Sequence, residues 1–212
     1  MFKVIIFDFD GTLHNGENWE NWFEYMQEAL ECALPNMTLE ERNTFLRKYG
    51  IDPQDPLTAD VAVAMIKEFG SAQKLVDFHM QNLYRLNYPN MKFVDPEFIK
   101  NLSKHYRLYI VSNSPVSAIE RHLTNWGIAP TIFRKIYFNQ FLPADPTKAV
   151  FYKEIMDIEK VAPEEMLVIG DNLRDDLLPA QKLNIPTFQT RELNDIYTYF
   201  ENLEKEQNKN IA

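Results

Sequence analysis

Cysteine is nearly absent from this chain. Cys32 is the only one in 212 residues, so no intramolecular disulfide can form and a cysteine-rich zinc site is excluded. Long apolar runs are missing too. No stretch approaches the length of about eighteen residues that would span a bilayer, so no membrane helix is expected. The opening residues lack the extended apolar segment and small-residue cleavage site of a secretory signal, and a cytoplasmic location is expected. Positive charge is in deficit, with 22 Lys and Arg against 31 Asp and Glu and a net charge of −9. Nucleic-acid polymers are held chiefly through Lys and Arg on phosphates, so a polymer partner is not expected. Internal repeats and low-complexity segments are absent as well.

What is present is an ordinary globular composition, 45% apolar and 25% charged, enough for one large domain or for a core with a satellite. Residues 2–7 (FKVIIF) form a short β-branched run that ends at Asp8-Phe9-Asp10-Gly11, which predicts a buried strand with carboxylates at its C-terminal end. From about 15 to 87 the rhythm is helical, with segments near 17–33, 38–49, 57–69 and 71–86. Thr38 and Glu41 are spaced as a capping box. Beyond Pro89, predicted strands at 106–112, 132–138, 166–170 and 186–190 alternate with helices near 95–104, 116–126, 147–158, 173–183 and 192–207. That alternation predicts an α/β fold with a doubly wound, Rossmann-like parallel sheet, residues 1–14 and 88–212, carrying an all-helical insert at 15–87.

In such sheets ligands bind beyond the carboxyl ends of the strands. Three predicted strands end there in polar groups: Asp8 and Asp10; Ser112, Asn113 and Ser114; and Asp171 followed by Asp175 and Asp176. Four or more carboxylates at one edge repel unless a cation neutralises them, and hard oxygen ligands in that number suit Mg²⁺. Asp8 and Asp10 lie two apart, so both carboxylates can flank one reacting group, one as nucleophile and the other as proton donor and acceptor. Gly11 allows a sharp turn with backbone N–H groups near an anion, and Thr12 adds a hydroxyl. Ser112 is placed to donate to phosphate near a helix start. Singly, each has a plainer reading: Asp8 and Asp10 as turn or cap residues, Ser112 as a cap, Asp175 and Asp176 as solvated first-turn residues. Their joint occurrence in order favours the functional reading.

FDFDGTL at 7–13, VSNS at 111–114 and VIGDNLRDD at 168–176 resemble, in order, the signature motifs of the haloacid dehalogenase-like hydrolase superfamily. The helical insert sits where that superfamily carries a helical cap. The layout is also similar to the pyrimidine 5′-nucleotidase branch, in the stretches around Tyr49-Gly50, Asn87-Tyr88-Pro89 and 112–128. The resemblance implies a magnesium-dependent phosphatase in which Asp8 forms an aspartyl-phosphate and Asp10 protonates the leaving alcohol, then activates water. It further implies Mg²⁺ held by Asp8, the Asp10 carbonyl and Asp171, with Asp176 or Asp175 supporting. Ser112 and backbone N–H groups near Gly11 and Asn113 would hold the phosphoryl group. One departure stands out. The position where such proteins carry a Lys-Pro pair reads Asp145-Pro146, and Lys148 comes three residues later. Lys148 is expected to reach the phosphoryl oxygens, against the alternative of a surface lysine on an amphipathic helix.

The insert would select the substrate, a small phosphorylated metabolite with a nucleoside 5′-monophosphate as one candidate. Residues 14–25 follow the nucleophile and are expected to overhang it. Trp19, Trp22, Phe23 and Tyr25 have the flatness to stack on a ring, though packing among helices is the commoner fate of such aromatics. His14 reads either as a polar contact to the leaving group or as a solvated loop residue. A phosphomutase and a catalytically silent binding module on the same fold stay open beside the phosphatase. A dehalogenase proper does not use Asp10, and a phosphonate hydrolase needs a lysine signature that Lys48, Lys67 and Lys74 do not carry. Monomer and homodimer are not distinguished.

Overall fold

The structure, a computed structural model, describes residues 2–15, 22–54, 56, 58–82, 92–139 and 147–209. From β1 (Val4–Phe7) the chain passes through a two-residue strand β2 (His14–Asn15) into four helices, α1 (Trp22–Ala33), α2 (Leu39–Lys48), α3 (Thr58–Phe69) and α4 (Gln73–Asn82). It returns through β3 (Lys92–Phe93), α5 (Pro96–Leu102), β4 (Arg107–Ser112), α6 (Val116–Asn125), β5 (Phe133–Phe138), α7 (Ala149–Glu159), β6 (Met166–Gly170), α8 (Leu178–Gln181), β7 (Thr187–Gln189) and α9 (Leu193–Lys209). Two compact units result. One comprises Met1–Gly16, Met91–Phe138 and Thr147–Ala212, the other Glu17–Asn90 and Asn139–Pro146.

The first unit is built on a parallel sheet of order β5-β4-β1-β6-β7. Alternation along the strands explains why both faces are covered. Ile5, Phe7, Leu108, Ile110, Leu167 and Ile169 point to one face, into a core shared with Ile99 of α5, Ile119 of α6 and Phe200 of α9. Val4, Ile6, Tyr109, Val111 and Val168 point to the other, against Tyr152 and Ile155 of α7 and Ala180 of α8. Each fully buried aliphatic side chain contributes about 1.5–3 kcal/mol of transfer free energy. The doubly wound sheet thus stands as expected. Its order reverses around β1, between β4 and β6, and the crevice at such a switch point is where a ligand fits.

Two details differ from the sequence expectation. Instead of one helix over 173–183, a π-helical turn at Leu173–Leu177 precedes the short α8. The antiparallel ribbon of β2 with β3, pairing His14 with Phe93 and Asn15 with Lys92, has no counterpart in the sequence pattern, because strands of two residues show no alternation.

The helical unit has its own core, drawn from Met26 and Leu30 of α1, Leu46 of α2, Val61 and Met65 of α3 and Leu75 of α4. The Thr38 capping box forms, with Glu41 N donating to Thr38 Oγ1 at 3.3 Å and Thr38 N to Glu41 Oε2 at 2.7 Å. Tyr25 is buried in this core, its hydroxyl 2.7 Å from His79 Nδ1. Burial pushes the His79 imidazole down to about 4. Tyr25 therefore packs, while Phe23 is half-buried. Trp19, Asn87, Tyr88 and Pro89 and the side chain of Trp22 lie outside the described residues. No described helix is long and apolar enough to cross a membrane.

Candidate active site

Asp8 leaves β1 with its backbone N–H still donating to Ile169 O of β6 at 2.9 Å, so the carboxylate is fixed to the sheet's edge. Three residues on, Gly11 adopts a φ of +76°, a left-handed conformation that a side chain disfavours. A Cβ at this position would stand 2.5 Å from Asp171 Oδ2. Gly11 thus admits the Asp171 carboxylate against the backbone as well as turning the chain. Thr12 is buried, its hydroxyl 3.5 Å from Asp8 Oδ2, at the limit of a hydrogen bond.

Lys148, just before α7, points inward with its side chain only 1% exposed. Its Nζ donates to Asp8 Oδ1 at 2.6 Å and to Asp176 Oδ1 at 2.5 Å. The alternative of a surface lysine is thereby removed. Asp145 and Pro146 lie outside the described residues. One turn along α7, Tyr152 donates its hydroxyl to Asp176 O at 3.2 Å.

The π turn explains how Asp176 comes to face inward. Asn172 caps the turn, its side chain accepting from Arg174 N and Asp175 N, while its carbonyl accepts from both Asp176 N and Leu177 N. Asn172 N in turn donates to Asp176 Oδ2 at 3.0 Å. The neighbour Asp175 instead pairs with Arg174, Nε to Oδ1 at 2.8 Å. Of the two acids that the sequence leaves open, Asp176 is the one in the cluster. Asp8, Asp171 and Asp176 each offer an oxygen within 4.8 Å of the others, the geometry of a cation site.

One lysine does not balance this cluster. Burial first, then the charge of Asp176, push Asp8 well above the usual carboxylate range in spite of Lys148. Desolvation and the Asp176 charge likewise push Asp171 up to about 6. Burial alone would lower Lys148, yet Asp8 and Asp176 carry it above the usual lysine range, so it stays charged. Negative charge remains in excess, held by hard oxygen donors, and a divalent cation fits that set.

Asp10 is treated differently. Its Oδ2 accepts from Ser114 Oγ at 2.5 Å and from Ser112 Oγ at 3.4 Å. Its Oδ1 accepts from His14 Nε2 at 3.2 Å. Burial would raise it, but the His14 and Ser114 hydrogen bonds hold it below the usual carboxylate range. Ser112 is fully buried and also accepts from Ser114 N at 3.0 Å, so its hydroxyl is engaged at the strand end. Asn113 follows it, half-buried.

Ser114 and His14 are partners of Asp10 that the sequence pattern does not mark directly. Ser114 lies two residues beyond Ser112, and that spacing was the available signal. His14 is neither solvated nor in a loop: it lies in β2 and its residue is 1% exposed. Of the remaining expected site residues, Asp8, Asp10, Gly11, Thr12, Ser112, Lys148, Asp171 and Asp176 converge on the C-terminal ends of β1, β4 and β6.

A protein-family model described as haloacid dehalogenase-like hydrolase matches residues 5–190. A comparison with curated proteins finds no match. Among solved structures, a predicted phosphoglycolate phosphatase from Haemophilus somnus is 22% identical, with a TM-score of 0.55 and coverage of 89% of this chain and 84% of that one. A haloacid dehalogenase-like family protein from Streptococcus pneumoniae is 21% identical, with a TM-score of 0.55 over 93% and 90%. A HAD hydrolase from Bacillus subtilis, bound to magnesium, is 16% identical, with a TM-score of 0.58 over 94% and 99%. At these identities the structural likenesses carry the fold.

Proposed function

Since this chain belongs to the haloacid dehalogenase-like hydrolase family, we propose that it is a magnesium-dependent phosphatase acting on a small phosphomonoester through an aspartyl-phosphate at Asp8. The observation that carries this reading is the buried Asp8 carboxylate, bonded to Lys148 at 2.6 Å inside a cluster of carboxylates with Asp171 and Asp176. A carboxylate so crowded is a poor structural element and a well-placed nucleophile.

Asp8 attacks phosphorus, forming an O–P bond as the ester oxygen leaves, and Asp10, which takes up a proton from solvent as the negative phosphoryl group enters beside it, gives that proton to the leaving oxygen. Asp10, now a carboxylate, takes a proton from the water that attacks the aspartyl-phosphate, and inorganic phosphate departs with Asp8 restored. Lys148 and the Thr12 hydroxyl, joined by the Ser112 hydroxyl when it turns from its long 3.4 Å contact with Asp10 Oδ2, hold charge on the phosphoryl oxygens, which is most of what phosphoryl transfer asks of a protein. Asp8, Asp171 and Asp176, with the Asp10 carbonyl, would hold Mg²⁺. When bound, the ion neutralises excess charge and polarises a phosphoryl oxygen.

The substrate class is a small phosphorylated metabolite rather than a nucleic-acid polymer, which the net charge of −9 disfavours, and a nucleoside 5′-monophosphate is the first to try. The test is hydrolysis of 4-nitrophenyl phosphate with Mg²⁺, with EDTA and with Asp8→Asn. Turnover is expected only in the first condition. Equal rates in all three, or none with any divalent metal, would refute the reading. A screen that includes nucleoside 5′-monophosphates and phosphoglycolate then sorts substrates.

A further inference from the structure

Asp10 is anchored at both oxygens, and by different parts of the chain. Ser112 and Ser114, from the end of β4 and the turn after it, both hold Oδ2. Among the described residues His14 alone holds Oδ1, donating from Nε2 at 3.2 Å. The terminal torsion of a carboxylate is broad and two-fold, so contacts on one oxygen leave the group free to pivot about it. The contact on the second oxygen removes that freedom.

The His14 ring has little choice of place. Its backbone is paired with Phe93 across the β2–β3 ribbon and bridged to Asp10. The ring meets Phe9 edge-on at 5.0 Å between centroids and Trp126 at 5.5 Å. Trp126 is itself stacked between Phe9 at 5.5 Å and Phe93 at 5.0 Å, with interplanar angles of 15° and 4°. A phenyl ring would fill this aromatic cage without the cost of burying a polar group, which is about 1–3 kcal/mol when unpaired. What imidazole supplies and phenyl does not is the N–H on Asp10 Oδ1.

We infer that His14 is a positioning residue for the proton shuttle, fixing the Asp10 carboxyl so that it faces the leaving oxygen. This rests on the assignment of Asp8 as nucleophile and Asp10 as acid and base. The consequence is selective. A leaving group that needs a proton depends on Asp10 being well aimed, whereas one that departs as a stable anion does not. The ratio kcat/KM covers steps up to phosphoryl transfer onto Asp8 and so isolates the acid step from the later attack of water.

The experiment compares kcat/KM for phenyl phosphate and 4-nitrophenyl phosphate, with Mg²⁺, in the parent protein, His14→Phe and His14→Gln. His14→Phe is expected to lose about 10- to 100-fold on phenyl phosphate, the scale of a misplaced catalytic group. On 4-nitrophenyl phosphate, which needs little acid assistance, the loss is expected to stay under about three-fold. His14→Gln keeps an N–H at similar reach and should return the substrate ratio to within about three-fold of the parent. In an Asp10→Asn background, His14→Phe should shift the ratio by less than about two-fold, because the two act as one unit. Both substrates are read on one preparation, so any misfolded fraction cancels from the ratio. Equal losses on both substrates, no loss, or glutamine no better than phenylalanine overturns the inference. If the parent hydrolyses neither phosphate, the phosphatase reading falls and this inference with it. Parent turnover that Asp8→Asn abolishes, with an unmoved ratio in His14→Phe, overturns this inference alone.

Discussion

Replacing Lys148 with methionine keeps the length of the side chain and removes the only cation that touches both Asp8 and Asp176 among the described residues. Their oxygens lie within 4.8 Å of each other, and two unit charges at that distance repel by about 3.5 kcal/mol at an effective dielectric of about 20. Truncating one partner of a buried ion pair costs about 3–5 kcal/mol in general, so the two routes agree. The expected result at pH 7 in EDTA is a loss of about 3–5 kcal/mol in the urea unfolding free energy of the α/β unit. The penalty should shrink with acid. Asp8 is raised in the folded state, and losing Lys148 raises it further, so protonated Asp8 is favoured by folding. Stability linked to such a group is fully present below its unfolded pKa and lost as pH rises through the folded one. The difference between Lys148→Met and the parent should therefore be smaller at pH 5 than at pH 7. Activity with saturating Mg²⁺ should fall by about 10²- to 10³-fold, the usual effect of losing one group from a charge-stabilising site. A stability loss under about 1 kcal/mol, the level of an exposed ion pair, or a penalty that grows with acid, would refute the charge-balance account.

Gly11→Ala puts a Cβ 2.5 Å from Asp171 Oδ2 at a φ of +76°. It should destabilise by about 1–2 kcal/mol and raise the Mg²⁺ concentration for half-maximal activity about ten-fold or more; an unchanged activation curve would contradict this. Asp176→Asn should cost about 10²-fold or more in kcat, while Asp175→Asn, whose carboxylate pairs with Arg174, should stay within about three-fold; equal losses would show that the π turn does not sort the two. His79 falls from about 6.5 in the unfolded chain to about 4 in the folded one. Its neutral form is favoured by folding, so stability is full above the unfolded pKa and is lost as pH falls towards 4. The loss between pH 7 and pH 5 is about 2 kcal/mol. His79→Asn should flatten that slope in urea unfolding of the helical unit, and parallel slopes would refute it.

The parts legible in the sequence are those with a local signal. Strand β6 is legible at both ends because its apolar run Met166–Ile169 stops at Gly170-Asp171, whereas FKVIIF marks only the C-terminal end of β1, which begins at Val4 rather than at residue 2. The parts missed depend on partners distant in the chain or on hydrogen bonds that leave no periodicity. Strands β2 and β3 have two residues each, too short to show alternation, and exist through their pairing. The π turn depends on the Asn172 carbonyl serving two N–H groups. A lone histidine at position 14 gives no sign of Phe93 and Trp126, which enclose it. Lys148 was displaced from the expected Lys-Pro place, and only the inward start of α7 brings its Nζ to Asp8.

The carboxylates of the site are held by two different devices. Asp10 is held by hydroxyl and imidazole donors, which aim the group and keep it below the usual carboxylate range without placing a lysine on it. Asp8 and Asp176 are held by a full charge from Lys148, which for Asp8 opposes, without overcoming, the burial and the Asp176 charge that push its carboxyl up. Asp171 makes direct contact with neither device among the described residues: the residue is exposed overall, its carbonyl takes the Gln189 amide at 2.9 Å, and its carboxylate, set against Gly11, is desolvated and pushed up to about 6. The unbalanced charge is thus concentrated on the side of the cluster that Gly11 opens to Asp171. A divalent cation bound as proposed would relieve the repulsion most where the lysine does least, so Lys148 and Mg²⁺ would be complementary rather than interchangeable on this edge of the sheet.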